Sequence, residues 1–265
     1  MHARTWTFVA IAAAAALTAC RTGFRVARFP TNEALFAAGV REYEREHWGN
    51  AIVAFEKLTG DLPARDTLLP RSYWHLALAH DRQREHLLAA QSFTRLFESF
   101  PDDTLADDAA LLAGRQYKRL WRKPALDPTY GETALTAYNA LLGLYPDSEH
   151  AEAARREIAE LEQWFATKDY ESGMYYYRRK AWDSALIYFR SVLTRWPNVP
   201  RARDALLRMA EANQRIRYRE DYVEACTRLR QSYPGDGEVA QVCRGVPATP
   251  LPTDSTARAR PIPGR

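Results

Sequence analysis

The sequence predicts an all-α protein, an α-solenoid of about five helical hairpins stacked in series. Three observations predict it. The stretch Ala181–Pro197, AWDSALIYFRSVLTRWP, repeats the skeleton of the upstream HWGNAIVAFEKLTGDLP, with Trp, Ala, Phe and Pro at the same offsets. Ala51, Phe55 and Leu58, separated by four and then three residues, share one helix face, as do Ala185, Phe189 and Val192. A chain of 265 residues that is 46% apolar can also bury a substantial core.

The chain divides in order as follows. Residues 1–19 carry His2 and Arg4 before an uncharged run from Thr5 to Ala19, too short to span a bilayer comfortably and better suited to the h-region of an export signal. The run ends in Leu17-Thr18-Ala19-Cys20, which resembles the lipobox of bacterial lipoprotein precursors. The resemblance implies that Cys20 becomes an acylated first residue, a stable membrane anchor when several chains are attached. Arg21, where an Asp would favour inner-membrane retention, implies the outer membrane. Residues 20–31 then serve as the lipidated Cys and its linker.

Residues 32–245 hold the repeats. The first, 33–66, has Gly39, Trp48, Ala51, Phe55, Leu58 and Pro63. The fourth, 151–200, matches it with Gly173, Trp182, Ala185, Phe189, Val192 and Pro197. The glycines let a neighbouring helix approach closely, and the prolines end the second helix of each pair. The second repeat, 69–103, keeps the register with Ala77, Ala89, Phe93, Leu96 and Pro101. The third, 105–149, begins with Gly114 and Tyr117 and ends with Ala134, Tyr138, Leu141 and Pro146. Between them, WRKPALDPTYG adds about eight residues whose prolines and glycine mark a loop. From Ala151 the fourth repeat's first helix runs without Gly or Pro until Gly173, so a long helix joining two halves is expected. The fifth, 201–236, sets Tyr222, Cys226 and Leu229 on its seam, and a short capping helix follows. Residues 246–265, with five prolines and few large apolar side chains, are expected to be a disordered tail. Offsets recurring in series are those of the tetratricopeptide repeat, in which one hairpin cannot cover its own apolar face and stacks on the next.

The formal net charge of +4 drops to about +1 once the signal and the Arg-bearing tail are set aside. Acidic and basic residues are interspersed along the body, which describes a solvated helical surface better than a phosphate-binding stripe, so nucleic acid is not expected as a partner. Catalytic and cofactor motifs are also missing: no phosphate loop, no His-Glu-x-x-His and no nucleophile elbow. His75 and His80, five apart, point to different helix faces and make poor co-ligands. Asp102, Asp103, Asp107 and Asp108 sit where a helix should begin, and their carboxylates suit capping. No catalytic, metal-binding or cofactor-binding residue is therefore expected. Of Tyr175, Tyr176 and Tyr177, the middle one matches the seam, leaving Tyr175 or Tyr177 to face a groove. Cys226 and Cys243 flank the Tyr233-Pro234-Gly235 break at similar distances, and both a disulfide and a pair of buried free thiols fit that spacing.

The lipobox, five such repeats, the loop within the third and the long helix together resemble the BamD family of outer-membrane β-barrel assembly lipoproteins. Leu126-Asp127-Pro128, the turn Leu144-Tyr145-Pro146-Asp147-Ser148, Lys180-Ala181-Trp182 and Arg203-Asp204-Ala205-Leu206 carry the likeness. It implies a non-enzymatic scaffold, anchored by lipid and facing the periplasm. The implied partners are the periplasmic domain of a BamA-like subunit, other lipoproteins of that machinery and unfolded outer-membrane proteins. The second helix of the fourth repeat would carry the docking surface. Some relatives have Arg where this chain has Tyr188, which cannot make a bidentate charged contact, and Arg190 points elsewhere on the helix. Tyr188, Arg190, Arg203, Tyr175 and Tyr177 are the expected partner-binding residues. The alternative is another periplasmic repeat scaffold, of the Tol–Pal or peptidoglycan-associated type.

Overall fold

The computed structural model describes residues 24–247, and the expected signal, Cys20 and nearly all of the expected tail lie outside the described residues. The described residues contain eleven α-helices and no strand: α1 Asn32–Glu44, α2 Trp48–Asp61, α3 Leu68–Arg82, α4 His86–Ser99, α5 Ala106–Leu120, α6 Thr129–Leu144, α7 Ala151–Arg178, α8 Trp182–Arg195, α9 Pro200–Ile216, α10 Arg219–Ser232 and α11 Gly237–Val242. Four pairs pack as hairpins: α1 with α2, α3 with α4, α7 with α8 and α9 with α10.

The helices fall into two compact units, one ending at Tyr117 and the other beginning at Lys118. In the first unit α1 packs on α2, α2 on α3 and α3 on α4. Phe55 is fully buried at its centre, with Leu35, Leu58 and Leu76 around it. In the second unit α7 packs on α6 and α8, and α9 on α8 and α10. Its core holds Trp121, Tyr138, Leu161, Phe165 and Phe189. The 28-residue α7, about 42 Å long at 1.5 Å per residue, lies wholly within this second unit. It does not join the two halves as its length suggested; the division falls inside α5.

Four hairpins turn in the same way. Glu46, Arg84, Lys180 and Arg217 each adopt φ between 59° and 64°, and each stands two residues before the second helix. The following amides of His47, Glu85, Ala181 and Tyr218 donate back to the carbonyls of Glu42, His80, Tyr176 and Asn213 at 2.9–3.1 Å. This is the pattern that closes helix ends with a left-handed residue, here without glycine. Between α5 and α6, residues 121–128 intervene instead.

The close approaches fall where the glycines predict. A Cβ on Gly39 would lie 2.9 Å from Phe55 Cζ, and one on Gly173 would lie 2.5 Å from Phe189 Cε1. Gly131 departs from its expected place in a loop: it sits in the first turn of α6, where a Cβ would meet Trp121 Cε3 at 2.2 Å. Trp121 lies in the expected loop, but as a buried anchor. It is 1% exposed, edge-on to Trp164 at 5.5 Å and 4.6 Å from Phe165, which in turn stacks on Trp196 at 5.2 Å. A large ring next to a glycine gap is worth more buried than hydrated, so the chain pins its insertion at that end.

Two boundaries also shift. The segment expected to link the anchor to the body packs against the first hairpin instead, since Val26–Arg28 makes a single 3-10 turn and Phe24 stacks on Phe29 at 5.4 Å. At the other end Val246, placed in the tail by composition, is buried. The Arg230 guanidinium donates to the carbonyls of Cys243, Val246 and Pro247 at 2.7–3.1 Å. A disulfide joins Cys226 of α10 to Cys243 just after α11, and the Tyr222 hydroxyl donates to Val242 O at 2.7 Å. These ties close the last hairpin over its terminal helix.

Candidate interaction surface

The hairpin α7–α8 carries four of the five expected partner-binding residues. Gly173 brings the two helices together, and above that contact Tyr176 stacks on Tyr188 with ring centroids 5.4 Å apart and an angle of 12°. The neighbouring Tyr176 hydroxyl, more than burial, raises the Tyr188 phenol above its ordinary value. Tyr175 is 47% exposed, with the Arg179 guanidinium 3.6 Å over its ring. Along the outer face of α8, Asp183, Ile187, Arg190 and Thr194 follow one another at helical spacing, all exposed. Ile187 is 68% exposed, the most exposed large apolar side chain among the described residues. Periodicity did not single it out, because it falls between the seam positions Ala185 and Phe189.

Arg190 borders a cleft of about 330 Å³ between α8, α9 and α10, closed by Leu193, Leu206, Met209 and Ala225 at its floor and by Asp221, Glu224 and Arg228 along its rim. An apolar floor with both signs of charge at the edge suits a folded protein surface better than a small anion.

Two expected residues are engaged within the chain instead. The Tyr177 hydroxyl donates to Glu211 at 2.8 Å, and burial together with that carboxylate pushes its pKa up to about 12. Arg203 donates through Nε at 2.8 Å and Nη2 at 2.5 Å to Asp236, and through Nη2 at 3.2 Å to Glu238. Asp236 caps α11 with its other oxygen, accepting from the Glu238 and Val239 amides. Arg203 thus ties α9 to α11. The partner lies 33 residues on, and no local spacing marks it.

The expected histidines are structural. His80 is buried, its ring 2.7 Å from Glu85 across the turn, and His75 stacks face-to-face with Phe55 at 5.2 Å. Burial pulls His75 below the ordinary histidine range. Asp107 and Asp108 stand in the first turn of α5 as expected, and the Leu105 amide donates to Asp103 just ahead of it. Among the described residues no group of His, Cys, Asp or Glu could hold a metal ion, and no helix is long and apolar enough to cross a membrane.

The model of the family described as YfiO, outer membrane lipoprotein, matches residues 30–229. An outer membrane protein assembly factor BamD from Caulobacter vibrioides is 24% identical over 208 residues, covering 77% of this chain and 67% of that protein. A BamD from Xylella fastidiosa is 22% identical over 183 residues, with 64% and 61% covered. One from Vibrio cholerae is 31% identical over 108 residues, with 41% and 44% covered. The chain thus spans about two thirds or less of the length of these curated relatives. Solved structures with similar folds include the TPR2AB domain of yeast Sti1, at 14% identity, 80% and 83% coverage and TM-score 0.39. A tetratricopeptide-repeat protein of Thermus thermophilus matches at 16% identity, 80% and 96% coverage and TM-score 0.35.

Proposed function

We propose, from the premise that this chain belongs to the YfiO family of outer membrane lipoproteins, that it is a non-enzymatic scaffold of the outer-membrane β-barrel assembly machinery. In this reading Cys20 carries the lipid anchor, the body faces the periplasm, and the second unit docks the periplasmic domain of a BamA-like subunit. Other lipoproteins of the machinery and unfolded outer-membrane proteins are further partners.

The observation that carries the docking is the outer face of α8. Ile187 is exposed far beyond what a solvated helix requires, and the Tyr176–Tyr188 stack and the Arg190 cleft flank it. An aliphatic side chain ringed by aromatic and charged groups is the arrangement found at the centres of protein interfaces. Tyr188 contributes ring area where a bidentate Arg contact is unavailable, so affinity here rests on burial more than on charge. Tyr177 and Arg203 hold this surface in shape from behind, through Glu211 and Asp236.

A photo-crosslinking residue at Ile187, introduced into the full-length chain in its native envelope, is expected to capture a BamA-like barrel protein. Capture of Tol–Pal components alone would overturn the assignment. Replacing Cys20 by Ser is expected to release the protein from membranes washed in high salt, and retention under those conditions would refute the anchor.

A further inference from the structure

Beneath the amino-terminal segment of the first unit lies an open cavity of about 720 Å³ that the docking surface does not involve. Its walls bring together the 3-10 turn, the middle of α1 and the start of α2. Four guanidinium groups, of Arg25, Arg28, Arg41 and Arg45, border it against two carboxylates, Glu42 and Glu46. Glu42 is already occupied: one oxygen is 3.0 Å from the His47 ring and accepts from Asn50 at 2.6 Å, and the other lies 3.7 Å from Arg45. Arg25, Arg28 and Arg41 are exposed and have no ion-pair partner among the described residues. The first turn of α2 also opens here through Gly49, where an added Cβ would touch only the Gln83 amide at 3.5 Å. Phe24 and Phe29 supply an apolar rim.

We propose that this cavity binds the phosphodiester headgroup of an anionic membrane lipid. The ligand must be anionic, because four guanidinium groups outnumber the two carboxylates that border the cavity. Guanidinium groups favour phosphate, which they can meet in a bidentate way. The location argues for a lipid. Phe24 is four residues from Cys20, and four residues span about 14 Å at most. A chain acylated at Cys20 therefore holds the cavity at headgroup depth, with the Phe24–Phe29 rim beside the acyl boundary. The inference rests on the anchor reading for its location, and on the cavity alone for its chemistry.

The test uses the full processed chain with Cys20→Ser, so that vesicle binding reports the cavity and not acylation. Flotation with phosphatidylcholine vesicles containing phosphatidylglycerol is expected to recover the protein, and pure phosphatidylcholine vesicles are not. Arg25→Gln/Arg28→Gln/Arg41→Gln is expected to weaken binding on the order of a hundredfold, at roughly fivefold per basic residue near an anionic surface. Arg65→Gln/Arg71→Gln/Arg95→Gln, which removes the same charge from exposed positions outside the cavity, is expected to retain binding within about threefold. Gly49→Asp, which places a carboxylate in the cavity without touching the arginines, is expected to weaken binding as well. Equal loss in both arginine triples would overturn the site in favour of diffuse charge. Vesicle binding that survives both cavity variants would also overturn it. Thermal stabilisation by inorganic phosphate without vesicle binding would reassign the cavity to a soluble phosphate. Arginine-dependent binding of a peptide carboxylate without vesicle binding would reassign it to a peptide. None of these outcomes depends on whether Cys20 is acylated in the cell.

Discussion

Replacing Gly173 by Ala tests whether the α7–α8 contact is set by the absent side chain. In an unconstrained helix the change should stabilise, since Gly is about 0.8–1 kcal/mol less favourable than Ala in a helix interior. Here the new methyl would lie 2.5 Å from Phe189 Cε1 and 2.7 Å from Cδ1, whereas carbon atoms in contact sit at about 3.5–4.0 Å. One helix or the ring must retreat by roughly 1 Å. Phe189 is fully buried, with Tyr170 at 5.7 Å and Tyr177 at 6.2 Å, so the ring has no open side. Overpacking of this kind costs about 1–3 kcal/mol, which cancels or outweighs the helix gain and leaves a net loss of up to about 2 kcal/mol. Gly143→Ala provides the opposite case: it lies in α6, and no atom lies within 4 Å of its added Cβ. That change should stabilise by about 0.5–1 kcal/mol. In calorimetry of the Cys20→Ser chain, Gly173→Ala should lower Tm by up to about 8 °C, while Gly143→Ala raises it by about 1–4 °C. Phe189→Leu should recover part of the loss in the double variant, read as a coupling energy. Tm values for Gly173→Ala at or above those for Gly143→Ala would refute the reasoning.

Truncating the ring itself, Phe189→Ala, should cost about 3–5 kcal/mol in urea unfolding, and a change under about 1 kcal/mol would place that side chain outside the core. Opening the bond between Cys226 and Cys243, 17 residues apart, with reductant or by paired Ser substitution should cost about 2–4 kcal/mol. Hydrogen exchange should then rise at residues 237–247, and unchanged protection there would show that Arg230 and Tyr222 suffice. Arg203 and the α11 amides hold Asp236 below its ordinary 3.8, so its stabilising contribution is full above that value and is lost as pH falls through the lower folded value. In acid unfolding, Asp236→Asn should flatten this part of the stability profile; an unchanged profile would show that the Arg203 tie is not what acid breaks.

The helices and their pairing were legible because a helix face is written at short range. Ala51, Phe55 and Leu58, or Ala185, Phe189 and Val192, announce a buried stripe within eight residues, and Pro63 and Pro197 announce its end. The small-residue contacts were legible for the same reason, since Gly39 and Gly173 recur at a fixed offset from the ring each accommodates. Gly131 was misread because prolines near it carry a loop signal, and the burial of Trp121 was not legible because the gap the two share exists only once α6 folds back. The five candidate contact residues were placed on sound helix positions, yet sequence could not tell Tyr175, which is open, from Tyr177, which Glu211 holds.

Residue spacing alone decides that this chain is helical and which rings fill its seams, because hydrogen bonds four residues apart and a 3.6-residue turn translate directly into periodic side chains. Stacking decides the rest. Whether Arg203 meets Asp236, whether Cys226 reaches Cys243, and which arginines border one cavity all depend on the distance and angle at which helices pack. That geometry is set by side-chain volumes at contacts far apart in the chain, so it emerges only when the hairpins are assembled.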